Sequence, residues 1–300
     1  MSHELGEGAF KAPLAYPGRV GPVFAPGQAA KCHNRPMRAG LLIVWLTLAT
    51  GVAAGQVPPP VDLTRADVVD LTHPFDERTL YWPTAPSRFQ LTVLSHGPTP
   101  AGFFYAANSF CTPEHGGTHL DAPVHFAEGR RTVDQVPVRD LVAPGVVLDV
   151  TAKAATDPDY RLTRADVEAW ERQNGPVPQG AIVLLRTGWS ARWPDAKRYL
   201  GDNRPGDASN LHFPSYGKEA AQLLVERKVA ALGVDTASID HGPSKDFPVH
   251  RLAAAANVPG LENLTMLEAL PARGAWIVAL PMKIARGSGG PLRIVALRPR

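Results

Sequence analysis

His115-Gly-Gly-Thr-His119-Leu-Asp121-Ala-Pro-Val-His125 places three of the chain's ten histidines and one carboxylate within eleven residues. Imidazole and carboxylate are the side chains that hold a divalent metal and move protons near neutral pH. Gly116, Gly117 and Pro123 argue against a helix. The stretch therefore reads as a loop that turns its polar groups toward one point, and a metal site is the first reading. The bland alternative is a loop of hydrogen-bonding histidines.

Working outward, short apolar runs and helical segments alternate irregularly. Val68-Val-Asp-Leu71, Phe89 to Leu94 and Phe103 to Phe110 read as strands that precede or enter the histidine loop. Val146 to Val150, Ala181 to Leu185, Val229 to Val234, Trp276 to Leu280 and Leu292 to Leu297 read as further strands. Thr163 to Asn174 fits a helix that Thr163 caps and Gly175-Pro176 stops. Ser215 to Lys228 reads as an amphipathic helix, and Pro248 to Ala256 as a short one with Pro in its first turn. Without strict βα alternation, the pattern predicts a mixed-sheet α/β or α+β domain rather than a TIM barrel or a doubly wound nucleotide fold. One domain over 67–300, after a Pro-rich linker at 55–66, is the simplest organisation.

The chain has 300 residues and a formal net charge of +3. Residues 1–54 carry five basic and two acidic residues, which leaves 26 of each sign in the remaining body. A formally neutral body with scattered basic residues gives no case for nucleic-acid binding. Residues 37–54 read MRAGLLIVWLTLATGVAA: a basic start, an apolar run and a small-residue cleavage signal. That is a secretory signal pattern, too short to span a membrane comfortably. Residues 1–36 read as disordered or as a spurious extension, with Met37 the true start. A mature chain outside the cytoplasm, periplasmic or secreted and free of the membrane after cleavage, is the expectation. Cleavage after Ala54 would remove Cys32 and leave Cys111, which cannot form an internal disulfide. Cys111 reads as a small buried hydrophobe, with a catalytic thiol as the sharper alternative.

His115, His119 and Asp121 suit zinc, or manganese if oxygen ligands predominate. His125, four residues past Asp121, is placed to act as a general acid or base. A second cluster runs from Ser238-Ile-Asp240-His241 through His250 to Glu262-Asn263, and His250 and Glu262 are candidates to supply a second set of ligands. Gly188-Trp-Ser190 lacks the second glycine of a nucleophile elbow, which weighs against a serine hydrolase. A secreted metal- or ligand-binding protein without turnover is the non-enzymatic alternative.

The pattern H-x-G-T-H-x-D-x-P-x-H resembles the signature of the metal-dependent cyclase family, which includes bacterial kynurenine formamidases (arylformamidases) and isatin hydrolases. His115, Gly117, Thr118, His119, Asp121, Pro123 and His125 fill every fixed position. Asp70-Leu-Thr-His-Pro74, Gly233-Val-Asp-Thr236, Asn257-x-Pro-Gly-Leu-Glu-Asn263, Leu280-Pro-Met-Lys-Ile284 and the Gly-Ser-Gly-Gly tail extend the likeness over about 67–298. The resemblance implies a barrel-like mixed sheet surrounded by helices, of the swivelling β/β/α type, usually dimeric or larger. It implies one or two divalent ions, zinc first: His115, His119 and Asp121 on one, with Asp121 bridging to a second held by His250 and Glu262. It implies His125 as the catalytic histidine. The implied reaction is hydrolysis of an amide C–N bond by metal-delivered hydroxide. The first expectation is arylformamidase chemistry, N-formylkynurenine to kynurenine and formate. Opening of a cyclic amide or lactone is the alternative. Tryptophan catabolism is normally intracellular, so the signal segment makes this an expectation of chemistry more than of pathway. Tyr81, Trp82, Phe103, Phe104 and Trp189 are candidates to line the pocket for such an aromatic substrate.

Overall fold

The computed structural model describes residues 65–299; the N-terminal extension, the signal segment and most of the linker lie outside them. The strands are β1 (Ala66–Asp70), β2 (Gln90–Pro98), β3 (Phe104–Cys111), β4 (His119–Asp121), β5 (Val142–Asp149), β6 (Arg161–Leu162), β7 (Ile182–Arg186), β8 (Ser215–Tyr216), β9 (Ala231–Val234), β10 (Gly260–Glu262), β11 (Arg273–Pro281) and β12 (Gly289–Pro299). The helices are α1 (Val138–Leu141), α2 (Thr151–Ala154), α3 (Arg164–Asn174), α4 (Ala196–Leu200), α5 (Lys218–Glu226) and α6 (Pro248–Ala255).

Eight strands form one sheet in the order β1-β12-β11-β5-β7-β9-β10-β4, and β12 pairs again with β4. Seven strands thus close into a ring, and β1 lies along the far end of β12. β5, β7, β9 and β10 run parallel. β11, β12 and β4 bring the antiparallel pairings. The result is the mixed α/β sheet that the sequence pattern predicts, closed into the barrel-like form that the family resemblance implies.

The central strand shows why these residues build it. Ile182 and Leu184 point into the barrel with Leu120, Leu261, Ile277 and Ile294. Val183 and Leu185 point outward, in the layer that contains Val167 of α3, Leu223 and Leu224 of α5 and Val249 of α6. With both faces covered, the strand is apolar at consecutive positions instead of alternating. Each such fully buried side chain contributes about 1.5–3 kcal/mol. Helix α3 begins as expected: Thr163 accepts from the Asp166 N–H, and Asp166 reaches back to the Thr163 N–H.

Closure depends on two three-residue strands and a glycine. At Gly289 a Cβ would lie 2.5 Å from the Leu120 carbonyl oxygen and 2.6 Å from Cε1 of His115. Only a glycine lets β12 approach β4 this closely.

The structure departs from the sequence reading in three places. His119–Asp121 is a barrel strand, not loop. Ser215–Tyr216 pairs with β6, so the helix after it begins at Lys218. Cys111 is exposed, not buried. It ends the β2–β3 hairpin, a two-stranded sheet separate from the barrel. Among the described residues no layer covers that hairpin, and Leu91, Val93, Leu94, Phe104 and Phe110 are all exposed on it.

Candidate metal centre

The barrel places the ligand candidates by register. Leu120 packs into the barrel core, so its neighbours His119 and Asp121 share the opposite face of β4. Glu262 on β10 pairs directly with His119, which brings a second carboxylate to that face. His250 enters from the first turn of α6. His115 comes from the loop before β4, and His125 ends a 3-10 turn after it. Gly117, in the left-handed conformation with φ 57°, makes the turn into β4.

All five predicted ligand residues meet. His119 Nε2 lies 3.1 Å from Asp121 Oδ1 and 3.6 Å from Glu262 Oε2. His250 Nε2 lies 3.1 Å from both Asp121 Oδ2 and Glu262 Oε1. His115 Nδ1 lies 2.6 Å from Asp121 Oδ1. The ligand atoms gather tightly in two groups that share Asp121, namely His119, Asp121, Glu262 and His115, Asp121, His125. His125 therefore has a ring nitrogen within reach of the ligands, and its ring stacks on His115 at 3.7 Å.

The outer hydrogen bonds fix which nitrogen faces inward. His119 Nδ1–H donates to the Gly117 carbonyl at 2.9 Å. His250 Nδ1–H donates to Asp240 Oδ2 at 2.8 Å. A carbonyl and an ionised carboxylate can only accept, so both Nε2 atoms face Asp121 and Glu262 with lone pairs. Acceptors aimed at acceptors around 3 Å repel unless a cation or protons lie between them. The donor set of imidazoles and carboxylates fits a divalent ion.

Without such an ion, protons take that role. Burial alone would lower His119, but the Asp121 and Glu262 carboxylates raise it to about 9. His250 is likewise raised well above its usual value, because Asp121, Asp240 and Glu262 outweigh its burial. Burial would raise Asp121, yet His119 and the other imidazoles hold it well below the usual carboxylate range. Glu262 goes up, through burial and the negative charge of Asp121. His125 goes the other way. The surrounding protein, helped by the neighbouring imidazoles, holds it down to about 4 against the pull of Asp121. It is neutral near pH 7.

Beyond the ligands, Asn263 Nδ2 donates to the Gly117 carbonyl at 2.7 Å, and Tyr199 OH donates to Asn263 Oδ1 at 3.0 Å. Ile239 N–H donates to Glu262 Oε1 at 2.8 Å. These bonds hold the candidate ligands from behind.

The candidate ligands face a cavity of about 310 Å³ whose walls include Tyr81, Trp82, Phe126, Phe247 and Leu80. Tyr81 and Trp82 stand where the sequence reading placed them. Trp189 is buried in a separate core cluster, and Phe103 and Phe104 are exposed at the tip of the hairpin. Phe126 and Phe247 were missed. Both are close in sequence to a ligand, after His125 and before Pro248-Val-His250, and that adjacency was the available signal. Phe247 holds a φ of 47°, a conformation that a bulky side chain adopts only when its surroundings compel it. Neither Ser190 nor Cys111 lines the cavity.

The family described as putative cyclase has a sequence model that matches residues 69–241. An isatin hydrolase of Roseibium aggregatum is 36% identical over 207 residues, 66% of this chain and 77% of that protein. A kynurenine formamidase of Salinibacter ruber is 29% identical over 185 residues, 60% of this chain and 74% of that protein. A crystal structure of an isatin hydrolase bound to the product analogue thioisatinate superposes with a TM-score of 0.73 at 32% identity. That superposition covers 79% of this chain and 94% of the other. The family match over more than half the chain and the relative of 36% identity lead to one conclusion: this protein belongs to the cyclase family.

Proposed function

We propose that this protein is a metal-dependent hydrolase that cleaves the C–N bond of a small aromatic amide. The observation that carries the reading is the convergence of the His119 and His250 Nε2 atoms on Asp121 and Glu262 beneath an aromatic cavity. When bound, a divalent ion supplies Lewis-acid polarisation of a carbonyl and acidifies a water. His115, His119, Asp121, His250 and Glu262 are the proposed ligands, for one ion or two. Zinc suits the imidazole-rich set, and manganese is the alternative.

His125 lines the cavity beside His115 and Asp121, placed to take a proton from the attacking water and return it to the leaving nitrogen. Tyr81, Trp82, Phe126 and Phe247 flank the aryl group and exclude water. Both the linear formamide of N-formylkynurenine and the cyclic amide of isatin meet these requirements. The 36% identity with an isatin hydrolase, against 29% with a kynurenine formamidase, favours ring opening as the second reading. Metal analysis paired with turnover of N-formylkynurenine, isatin, a lactone and a cyclic imide tests both readings. Full metal occupancy with no turnover of any amide or ester would leave a binding protein.

The exposed apolar hairpin supports a homodimer or larger assembly, which light scattering on the purified protein checks. Residues 37–54 support export to the periplasm or beyond. Sequencing the mature N-terminus tests this: a first residue just after Ala54 supports it, a retained 37–54 segment would sink it, and a first residue upstream of Met37 would sink Met37 as the start. No helix among the described residues is long and apolar enough to cross a membrane.

A further inference from the structure

The histidines of the centre are not held alike. His119 and His250 lean on groups that only accept, a main-chain carbonyl and a carboxylate. His115 leans on a hydroxyl: its Nε2 lies 2.8 Å from Ser288 Oγ. A hydroxyl can donate or accept, so alone it leaves the tautomer of His115 undecided. Glu114 removes the ambiguity. Its Oε2 lies 2.6 Å from Ser288 Oγ and 2.9 Å from the Ser288 N–H. The carboxylate takes the hydroxyl proton, so Ser288 Oγ accepts from His115 Nε2–H, and Nδ1 faces Asp121 as a lone pair.

The backbone is shaped for this chain of contacts. A Cβ at Gly287 would lie 2.7 Å from Glu114 Oε1, and one at Gly289 would lie 3.1 Å from His115 Nδ1. The glycines on both sides of Ser288 thus leave space for the carboxylate and the ring. This gives the Gly-Ser-Gly tail a function that the ligand set alone does not.

We propose that Glu114 and Ser288 are positioning residues that fix His115 with Nδ1 toward the metal, the reverse of His119 and His250. The proposal rests on the metal reading above. The test is nitrogen-15 NMR of the histidine rings of the zinc-loaded protein, with zinc affinity measured by chelator competition. In the wild type, His115 should carry its proton on Nε2 and show a zinc-shifted Nδ1, while His119 and His250 show the opposite pattern. Ser288→Ala and Glu114→Ala should mix the His115 tautomers and weaken zinc by about ten- to a hundredfold, the usual effect of losing a group behind a ligand. A merely structural role would weaken binding without altering the tautomer. A His115 proton on Nδ1 in the wild type, or wild-type tautomer and affinity in both variants, would overturn the proposal. Zinc that shifts none of the three rings in the wild type would overturn the metal reading itself and the relay with it.

Discussion

Asp121 divides the site into two unlike halves. On one side stand His119, His250 and Glu262, which are 3%, 6% and 4% exposed, on barrel strands and a helix. On the other stand His115, whose side chain is 26% exposed, and His125, which is exposed, on a loop and a 3-10 turn. The closed half is braced by a carbonyl, a carboxylate and a main-chain N–H. The open half is braced by a hydroxyl and by ring stacking. The contrast assigns tenacity to the closed half and access to the open one: a buried ligand resists exchange, whereas proton transfer needs a group that faces the cavity.

The sharpest way to break this division is to remove one histidine from each half. His119→Ala should abolish stoichiometric metal binding, read by elemental analysis after desalting. His125→Ala should keep its metal and lose about 10²–10⁴-fold in turnover, the usual contribution of a positioned acid or base. Equal metal loss in both would place His125 among the ligands, where its proximity to His115 and Asp121 makes it geometrically eligible.

Acidity separates the halves next. Without metal, His119 titrates at about 9 and His250 above its usual range, so both are protonated at neutral pH. A cation must displace those protons. Below about pH 9, apparent metal affinity should therefore fall roughly tenfold per pH unit for each proton displaced. The stability of the metal-free protein runs the other way. A histidine raised in the fold stabilises it fully below the unfolded value of about 6.5, and that stability is lost as pH rises toward 9. His125, held down to about 4, stays neutral throughout. An acid limb in turnover should thus track metal loss measured on the same samples. A limb that precedes metal loss would assign it to another group.

Within the closed half, Asp240 holds His250 through the ring and also accepts from the Val249 and His250 N–H groups. Asp240→Asn should weaken metal binding by about ten- to a hundredfold. Unchanged affinity would mean that helix α6 alone orients the ring.

How much of this was legible in the sequence follows the same division. His115, His119, Asp121 and His125 announce themselves by density, and the long apolar runs of β5, β7 and β9 announce the sheet. The strand character of His119–Asp121 was hidden. Three residues are too few to show a period of two, and the flanking glycines and proline signal a turn. Its strand geometry comes from β10 and β12, more than 130 residues away in sequence. His250 and Glu262 were legible only as a loose second cluster, and the family resemblance joined them to the first, since both lie more than 120 residues from the histidine loop. Phe126 and Phe247 were missed because a lone aromatic reads as core. The exposure of Cys111 was missed because a strand's composition does not tell whether a second layer will cover it.

That uncovered strand joins the two halves of the comparison to the rest of the molecule. The closed half is anchored in the barrel, but His115 follows the end of β3 by only four residues, so the open half hangs from the hairpin. Leu91 and Phe110 are paired across the hairpin and exposed at 58% and 53%. Phe110 stacks on Phe89 and belongs to none of the buried core clusters, so Phe110→Glu should lower the melting temperature little. If the hairpin seats on a second copy, the substitution should dissociate the assembly in light scattering. Metal affinity should not change, because Ser288 and Glu114, the groups that hold His115 in place, lie outside the hairpin. If affinity falls as the assembly dissociates, the seating of the hairpin also sets the position of His115, and the bracing of the open half extends beyond Ser288 and Glu114.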